Sequence, residues 1–260
     1  RFGCITPFLQ IGGDASSREG WRIAVSMLYG QMKDRAAAMT MIEKLNLCSV
    51  QDAKVQMAMA DRKINAVMST SAGRLFDGVS AILAILGIQK SSTFEGEASM
   101  ALEFAAEAYE KKHQNAVDLQ HVMDEMRKQF PLAACIDNKE SESAEINKPE
   151  QVKAVLNTGA LVKTIAEARL AGADTEKLAY FFHWILAEEI IAACQKAGKE
   201  SGRGTVALSG GVFQNQLLLK MVDEGLQKEG FKVLRHRLIP PNDGGIALGQ
   251  AVYAMGSLKS

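Results

Sequence analysis

Apolar positions recur three and four residues apart through most of this chain, so the pattern reads as a succession of helices broken by a few short extended runs. Residues 1–9 (RFGCITPFL) predict a strand, ended by Gly12-Gly13-Asp14. Ser16 or Ser17 can cap the helix that follows, which runs to about Met32 with Trp21, Val25, Leu28 and Met32 on one face. Two Ala- and Met-rich helices are expected at about 35–46 and 50–62; Met39, Met41, Met57 and Met59 there read as core filler ahead of a promiscuous binding groove. Ser69, Thr70 and Ser71 offer a cap for the next helix, whose stripe is Leu75, Val79, Ile82, Leu83 and Leu86, with Gly87 at its end. Helices at about 95–112 and 114–128 precede a short apolar strand, 132–136, and a possible hairpin partner at 144–147. Lys148-Pro149-Glu150 opens another helix, and helical pattern continues over 151–171 with a break near Gly159. Asp174 or Thr175 caps a strongly apolar helix at about 176–198, in which His183 reads as a core or boundary histidine.

The last 60 or so residues change character. Val206–Asn215 (VALSGGVFQN) reads as strand, glycine turn and helix start, with the helix running from Gln214 to Lys228. Residues 231–236 form another strand, and 238–249 (LIPPNDGGIALG) a second glycine-rich turn before a final helix. Glycines at such a turn let the backbone approach a bound group, and the N–H groups of the following helix point towards it. Two such units side by side can wall one cleft at the ends of parallel strands. The same spacing also describes two plain tight connections in an α/β sheet.

Composition narrows the classes. The chain has 260 residues, with 30 Lys+Arg against 30 Asp+Glu, and a balance of that kind argues against a nucleic-acid-binding surface. Cys4, Cys48, Cys135 and Cys194 form no CxxC pair and share no ligand spacing with His113, His121, His183 or His236, which suits a reduced, cytoplasmic protein with idle thiols. No apolar run reaches membrane-spanning length. The chain opens at Arg1 within a strand pattern, and we expect it to be a piece of a longer protein, with 1–260 as one domain part.

No serine or cysteine nucleophile motif, HExxH, P-loop or GxGxxG occurs. Three glycine-flanked polar sites remain. Gly73 can let a ligand approach a helix start while Asp77 holds a hydroxyl, or Asp77 can simply pair with Arg74 three residues away. Asn215, four residues past Gly211, can hydrogen-bond a sugar or base edge while Gly210-Gly211 approaches a phosphate. Asp243 stands where a strand gives way to a helix, placed either to cap it or to hold a metal.

Taken together, IGGDASSREGWR, STSAGRLFD, SGGVFQN and IPPNDGGIALGQA, in that order, resemble the C-terminal lobe of the HypF-type hydrogenase maturation carbamoyltransferases, relatives of the tRNA threonylcarbamoyl-transferase family. The resemblance implies a helix-rich α/β fold, one lobe of an actin-like, sugar-kinase or Hsp70-type ATPase. It implies ATP and carbamoyl phosphate as substrates, carbamoyl-adenylate as intermediate, and transfer to the C-terminal cysteine of a partner, HypE, towards the cyanide ligands of [NiFe]-hydrogenase. The family's nucleotide contacts fall on Gly73, Asp77, Gly210, Gly211 and Asn215, and its late ligand for a divalent metal (Fe, Zn or Mg) falls on Asp243. The tRNA-modifying relatives usually carry Glu where Arg74 stands, which favours the HypF branch.

The family's metal site also needs a histidine cluster, and no HxxxH occurs here. Nor are the acylphosphatase, zinc-finger-like and adenylate-forming domains of the family visible. The expectation is therefore an incomplete lobe, inactive alone, with no general base assignable. Two alternatives stand beside it: carbamoyl transfer to a small molecule or tRNA, and a non-catalytic lobe that docks the acceptor protein.

Overall fold

The computed structural model describes residues 1–32, 34–88, 91–113, 119–129, 136–137 and 152–257. The first eleven residues feed two different sheets. Strand β1 (Gly3–Ile5) pairs in parallel with β5 (Ala154–Leu156), and β2 (Phe8–Ile11) pairs antiparallel with β3 (Ala66–Ser69). The single strand expected over 1–9 is thus two. The corner between them is made by Pro7, which has no N–H for a ladder, and by Thr6. The Thr6 N–H donates to Leu156 O at 3.0 Å and its hydroxyl to the same oxygen at 2.9 Å, while the Gly159 N–H donates to Thr6 Oγ1 at 3.1 Å.

Strand β4 (Ile136–Asp137) lies antiparallel on the other edge of β5. The residues 132–135 of the expected strand, its partner at 144–147 and the helix start at 148–150 lie outside the described residues. The helical pattern expected from 151 begins instead at α8 (Thr158–Leu170), because 154–156 are drawn into the sheet by β1, some 150 positions away in sequence.

Between β2 and β3 in the chain come α1 (Ala15–Arg18), α2 (Gly20–Met32), α3 (Arg35–Leu45) and α4 (Val50–Arg62), and α5 (Ala72–Ile82) follows β3. The expected helix from 16 to 32 is broken at Glu19. Just past the break Gly20 lies so close to α5 that a Cβ there would stand 2.7 Å from Asp77 O. Neither serine caps α2: the Ser16 and Ser17 hydroxyls donate back to Gly13 O and Asp14 O. Ser71 does cap α5, accepting from the Arg74 N–H, and α5 closes at Leu83, ahead of Gly87. Met41 and Met57 are buried in the core, as filler should be, and Met39 packs against it, whereas Met59 is half-buried outside the core.

The centre of the molecule is α9 (Thr175–Ser201), capped by Asp174 and packed against α6 (Glu97–His113), α7 (Leu119–Gln129), α8 and α10 (Gln216–Lys228). Phe181, Phe182 and His183 on α9 are fully buried, and the Phe76 ring of α5 meets Phe182 edge-on at 4.9 Å. Burying such rings contributes about 1.5–3 kcal/mol each relative to exposure. The C-terminal unit is β6 (Thr205–Leu208) and β7 (Lys232–Arg235), parallel neighbours joined through α10, followed by α11 (Ile246–Ser257), none of whose residues is buried. No helix among the described residues is long and apolar enough to cross a membrane.

Candidate functional site

Strand β6 ends at Leu208, and the chain turns through Ser209 and Gly210 into a 3-10 turn, Gly211–Gln214, before α10. Gly210 has φ +98°, a conformation that side chains rarely adopt, and a Cβ there would meet nothing within 4 Å. The glycine is therefore required by backbone shape, and the space beside it is open. A cavity of about 330 Å³ lies at the C-terminal ends of β6 and β7, and none of Gly210, Gly211 and Asn215 is among the residues that line it. Leu208, Phe213 and Gln214 line it from the first strand–turn–helix unit, and Arg235, His236 and Pro241 from the second. The two units expected to wall one cleft do so. Ser209 and His236, each one residue past its strand, are joined across the mouth by a 2.9 Å hydrogen bond between Oγ and Nε2. Neither they nor Phe213 was anticipated. Their positions one step beyond two parallel strands were the available signal.

The helix N-terminus is not the open anion site that the sequence pattern suggests. Glu103, reaching over from α6, accepts from the Gln216 N–H at 2.5 Å and the Leu217 N–H at 3.4 Å. Asn215 is the N-cap residue, its Oδ1 accepting from the Leu218 N–H at 2.8 Å. Burial pushes the Glu103 carboxyl up, although both backbone N–H groups pull it back down. The first three amides of α10 are thus committed. Among the described residues, the backbone donors left at this turn are the N–H groups of Ser209, Gly210, Gly211 and Val212.

Asn215 is tied further by its amide nitrogen, 2.9 Å from His183 Nε2. His183 Nδ1 donates to Ala179 O at 2.8 Å. Burial lowers the imidazole from 6.5 to about 4, so the ring is neutral near pH 7.

Asp77 lies on α5, whose C-terminal half packs on α2 and which also touches the 3-10 turn. Its side chain is 5% exposed, and Arg74 Nη1 stands 2.9 Å from Oδ2. The pair anticipated from the sequence exists, but it is buried where a surface pair was the plain expectation. It is also not a formed hydrogen bond: Oδ2 has no donor aimed at it, because the same Nη1 is directed at Ser17 O, 2.9 Å away. Burial raises the Asp77 carboxyl to about 6 and outweighs the attraction of Arg74. Gly73 sits in the first turn of the same helix with only Ser71 Oγ near its missing Cβ, at 3.8 Å.

Asp243 opens a 3-10 turn, Asp243–Gly245, and is exposed. It does not cap that turn; the cap is Asn242, whose Oδ1 accepts from the Gly244 N–H at 3.0 Å. Among the described residues no three His, Cys, Asp or Glu side chains come together as metal ligands. A divalent metal therefore does not fit the described residues alone, among which Asp243 supplies a single carboxylate.

A helix-rich α/β body with a glycine turn opening at the ends of parallel strands defines one lobe of the actin-like ATPase class, and the comparisons with known proteins agree. The family model for "Carbamoyltransferase, Kae1-like Domain, second subdomain" matches residues 1–250, and the chain belongs to that family. It is 31% identical over 260 residues to carbamoyltransferase HypF of Rhodobacter capsulatus, covering 100% of this chain and 29% of that protein. It is 27% identical over 253 residues to the probable carbamoyltransferase HypF of Methanocaldococcus jannaschii, covering 97% of this chain and 28% of that one. The crystal structure of full-length HypF in its phosphate- and nucleotide-bound form superposes with a TM-score of 0.75 at 25% identity, across 100% of this chain and 29% of that one. The chain thus spans less than a third of these relatives' length.

Proposed function

We propose that this chain is the nucleotide-binding part of a HypF-type carbamoyltransferase. One observation supports the reading above others: Gly210, at φ +98°, turns the chain from the end of β6 into Phe213 and Gln214, which line a cavity of about 330 Å³. A phosphate would take the Gly211 and Val212 N–H groups, and the nucleoside would lie against Phe213 and Leu208 with Asn215 at its edge. Gly73 and Asp77 are the second contact set, on the helix that touches the turn. The substrates on this reading are ATP and carbamoyl phosphate, which yield carbamoyl-adenylate. The C-terminal cysteine thiolate of HypE attacks the carbamoyl carbon; the C–S bond forms, the C–O bond to AMP breaks, and the thiocarbamate proceeds towards the cyanide ligands of [NiFe]-hydrogenase. This chain's part in that reaction is to bind and orient the adenylate. Asp243 is proposed as one ligand of a metal site whose other ligands come from outside this chain, and no step here depends on it.

The test is calorimetric titration of the chain with ATP and with adenosine, beside Gly210→Ala, Asn215→Ala and Asp243→Asn. Binding that Gly210→Ala and Asn215→Ala each weaken at least tenfold, with Asp243→Asn affecting ATP only when divalent metal is added, supports the assignment. A folded chain that binds neither ligand refutes it. The docking-lobe reading draws on the exposed Leu248, Val252, Tyr253 and Met255 of α11. It predicts that HypE binds the chain without nucleotide, and that charged residues at those four positions abolish the binding.

A further inference from the structure

His183 is the one fully buried histidine among the described residues, and nothing in the reaction proposed above uses it. Its surroundings determine its chemical state. Ala179 O, a carbonyl, can only accept, so the contact at 2.8 Å places the proton on Nδ1. Nε2 is then bare and must accept. The Asn215 atom 2.9 Å away is accordingly the amide nitrogen, which agrees with Oδ1 accepting from the Leu218 N–H. The carboxamide of Asn215 is fixed in one of its two flips by two partners that cannot both be satisfied by the other. One of its two amide hydrogens is spent on His183, and the second has no acceptor among the described residues. Asn215 also terminates the glycine turn, its own N–H donating to Val212 O at 3.2 Å. The ring of His183 meets Phe76 edge-on at 5.4 Å, and Phe76 directly precedes Asp77. His183 thereby touches both segments that carry the proposed nucleotide contacts.

We propose that His183 is a positioning residue for nucleotide binding: as a neutral, Nδ1-protonated imidazole it holds the Asn215 carboxamide so that its second N–H is presented to a nucleoside hydroxyl or a phosphate oxygen. The inference rests on the reading of the Gly210–Asn215 turn as a nucleotide site. It assigns a role to a helix residue that contacts no ligand, and it explains why a histidine occupies a position otherwise suited to a third phenylalanine beside Phe181 and Phe182.

Adenosine titrations on four forms of the chain test it, each with its thermal midpoint. His183→Phe keeps an aromatic ring between Phe76 and Phe182 but removes the acceptor; His183→Gln restores a carbonyl acceptor. The unsubstituted chain binds, His183→Phe binds about five- to tenfold more weakly, His183→Gln recovers most of the loss, and His183→Phe added to Asn215→Ala weakens binding no further. A purely structural role would lower the midpoint of both His183 variants and leave adenosine affinity, measured well below that midpoint, unchanged; that result overturns the proposal. So does an equal loss in His183→Phe and His183→Gln, or an additive loss in the double variant. If His183→Phe does not fold, His183→Leu, which also lacks an acceptor, takes its place: a loss of about five- to tenfold that His183→Gln largely recovers supports the proposal, and unchanged affinity in His183→Leu, or an equal loss in both variants, overturns it. Failure of the folded, unsubstituted chain to bind adenosine instead overturns the nucleotide reading itself, and this inference with it.

Discussion

Replacing Asp77 with asparagine is expected to make the chain more stable at neutral pH than at acid pH, relative to the unsubstituted protein. The carboxyl is 5% exposed, and burial raises it from 3.8 to about 6 even with Arg74 alongside. A carboxyl whose folded-state pKa is raised binds its proton more tightly in the folded chain than in the unfolded one. Its stabilising contribution is therefore full below about pH 4 and is lost as pH rises through about 6. At roughly 1.4 kcal/mol per unit, ionising Asp77 in place costs the native state about 3 kcal/mol by pH 7. Asparagine has the same shape and does not ionise. It leaves Arg74 without an anion, but that loss is shared with the protonated wild-type side chain at low pH and cancels in the comparison. Urea unfolding of both proteins at pH 4.5 and pH 7.5 is the assay. Between these values the stability of Asp77→Asn relative to wild type should rise by about 2 kcal/mol. A difference that is the same at both pH values, or smaller at pH 7.5, refutes the claim that desolvation outweighs the Arg74 pair. A carboxylate kept at such a cost is what a ligand-binding role would require, so Asp77→Asn should also bind ATP more weakly.

Three further outcomes can be checked independently. Gly20→Ala should destabilise by about 1–3 kcal/mol in urea unfolding, since its Cβ would stand 2.7 Å from the Asp77 carbonyl oxygen and two backbones cannot part without opening the α2–α5 contact; Gly30→Ala, with nothing within 4 Å, is the control and should be neutral or slightly stabilising. Cys48 should react slowly with Ellman's reagent at pH 8, because burial first, and Asp52 second, push its thiol up to about 11; reaction at the rate of a free thiol contradicts this. Amides of α11 should exchange with solvent well before those of α9, since no α11 residue is buried while α9 forms the core; equal protection would mean that α11 is covered in solution.

The helices were legible because their signals are local. Ser71 caps α5 and Asp174 caps α9 as their positions suggested, and of the expected stripe Leu75, Val79, Ile82 and Leu83 are buried while Leu86 lies past the helix and is half-buried. What escaped the sequence is non-local. β5 reads as the lead-in to a helix, and only its register with β1, Gly3 opposite Ala154, makes it a strand. β3 carries no alternation, its outer positions half-buried and its inner two exposed, and it exists because β2 pairs with it. The break between α1 and α2 falls at Glu19, ahead of Gly20, a glycine that the apolar pattern of the expected helix ran across and that lies against Asp77 O. The turn and cap positions of the motif residues were legible for the same reason that the helices were. Gly210 needs its φ and Asn215 its cap whatever lies around them.

Their chemistry was less legible than their position. Strand, glycine turn and helix suggest that the α10 dipole and its first amides receive an anion. A carboxylate 113 positions earlier in the sequence, Glu103, accepts from the Gln216 N–H at that helix start. The Asn215 side chain takes another amide, that of Leu218. An incoming phosphate would have to displace a buried carboxylate to use the helix end, and it would meet that carboxylate's charge on the way if Glu103 is ionised. Among the described residues, the N–H groups of the turn itself, Ser209 to Val212, avoid both obstacles, and Gly210, at φ +98°, is the residue that shapes it. On the proposed reading, then, the turn and not the helix end would take the phosphate. It follows that Glu103→Gln, which removes the charge but keeps an acceptor, should strengthen ATP binding more than adenosine binding. Equal effects on the two ligands would place the phosphates away from α10 altogether.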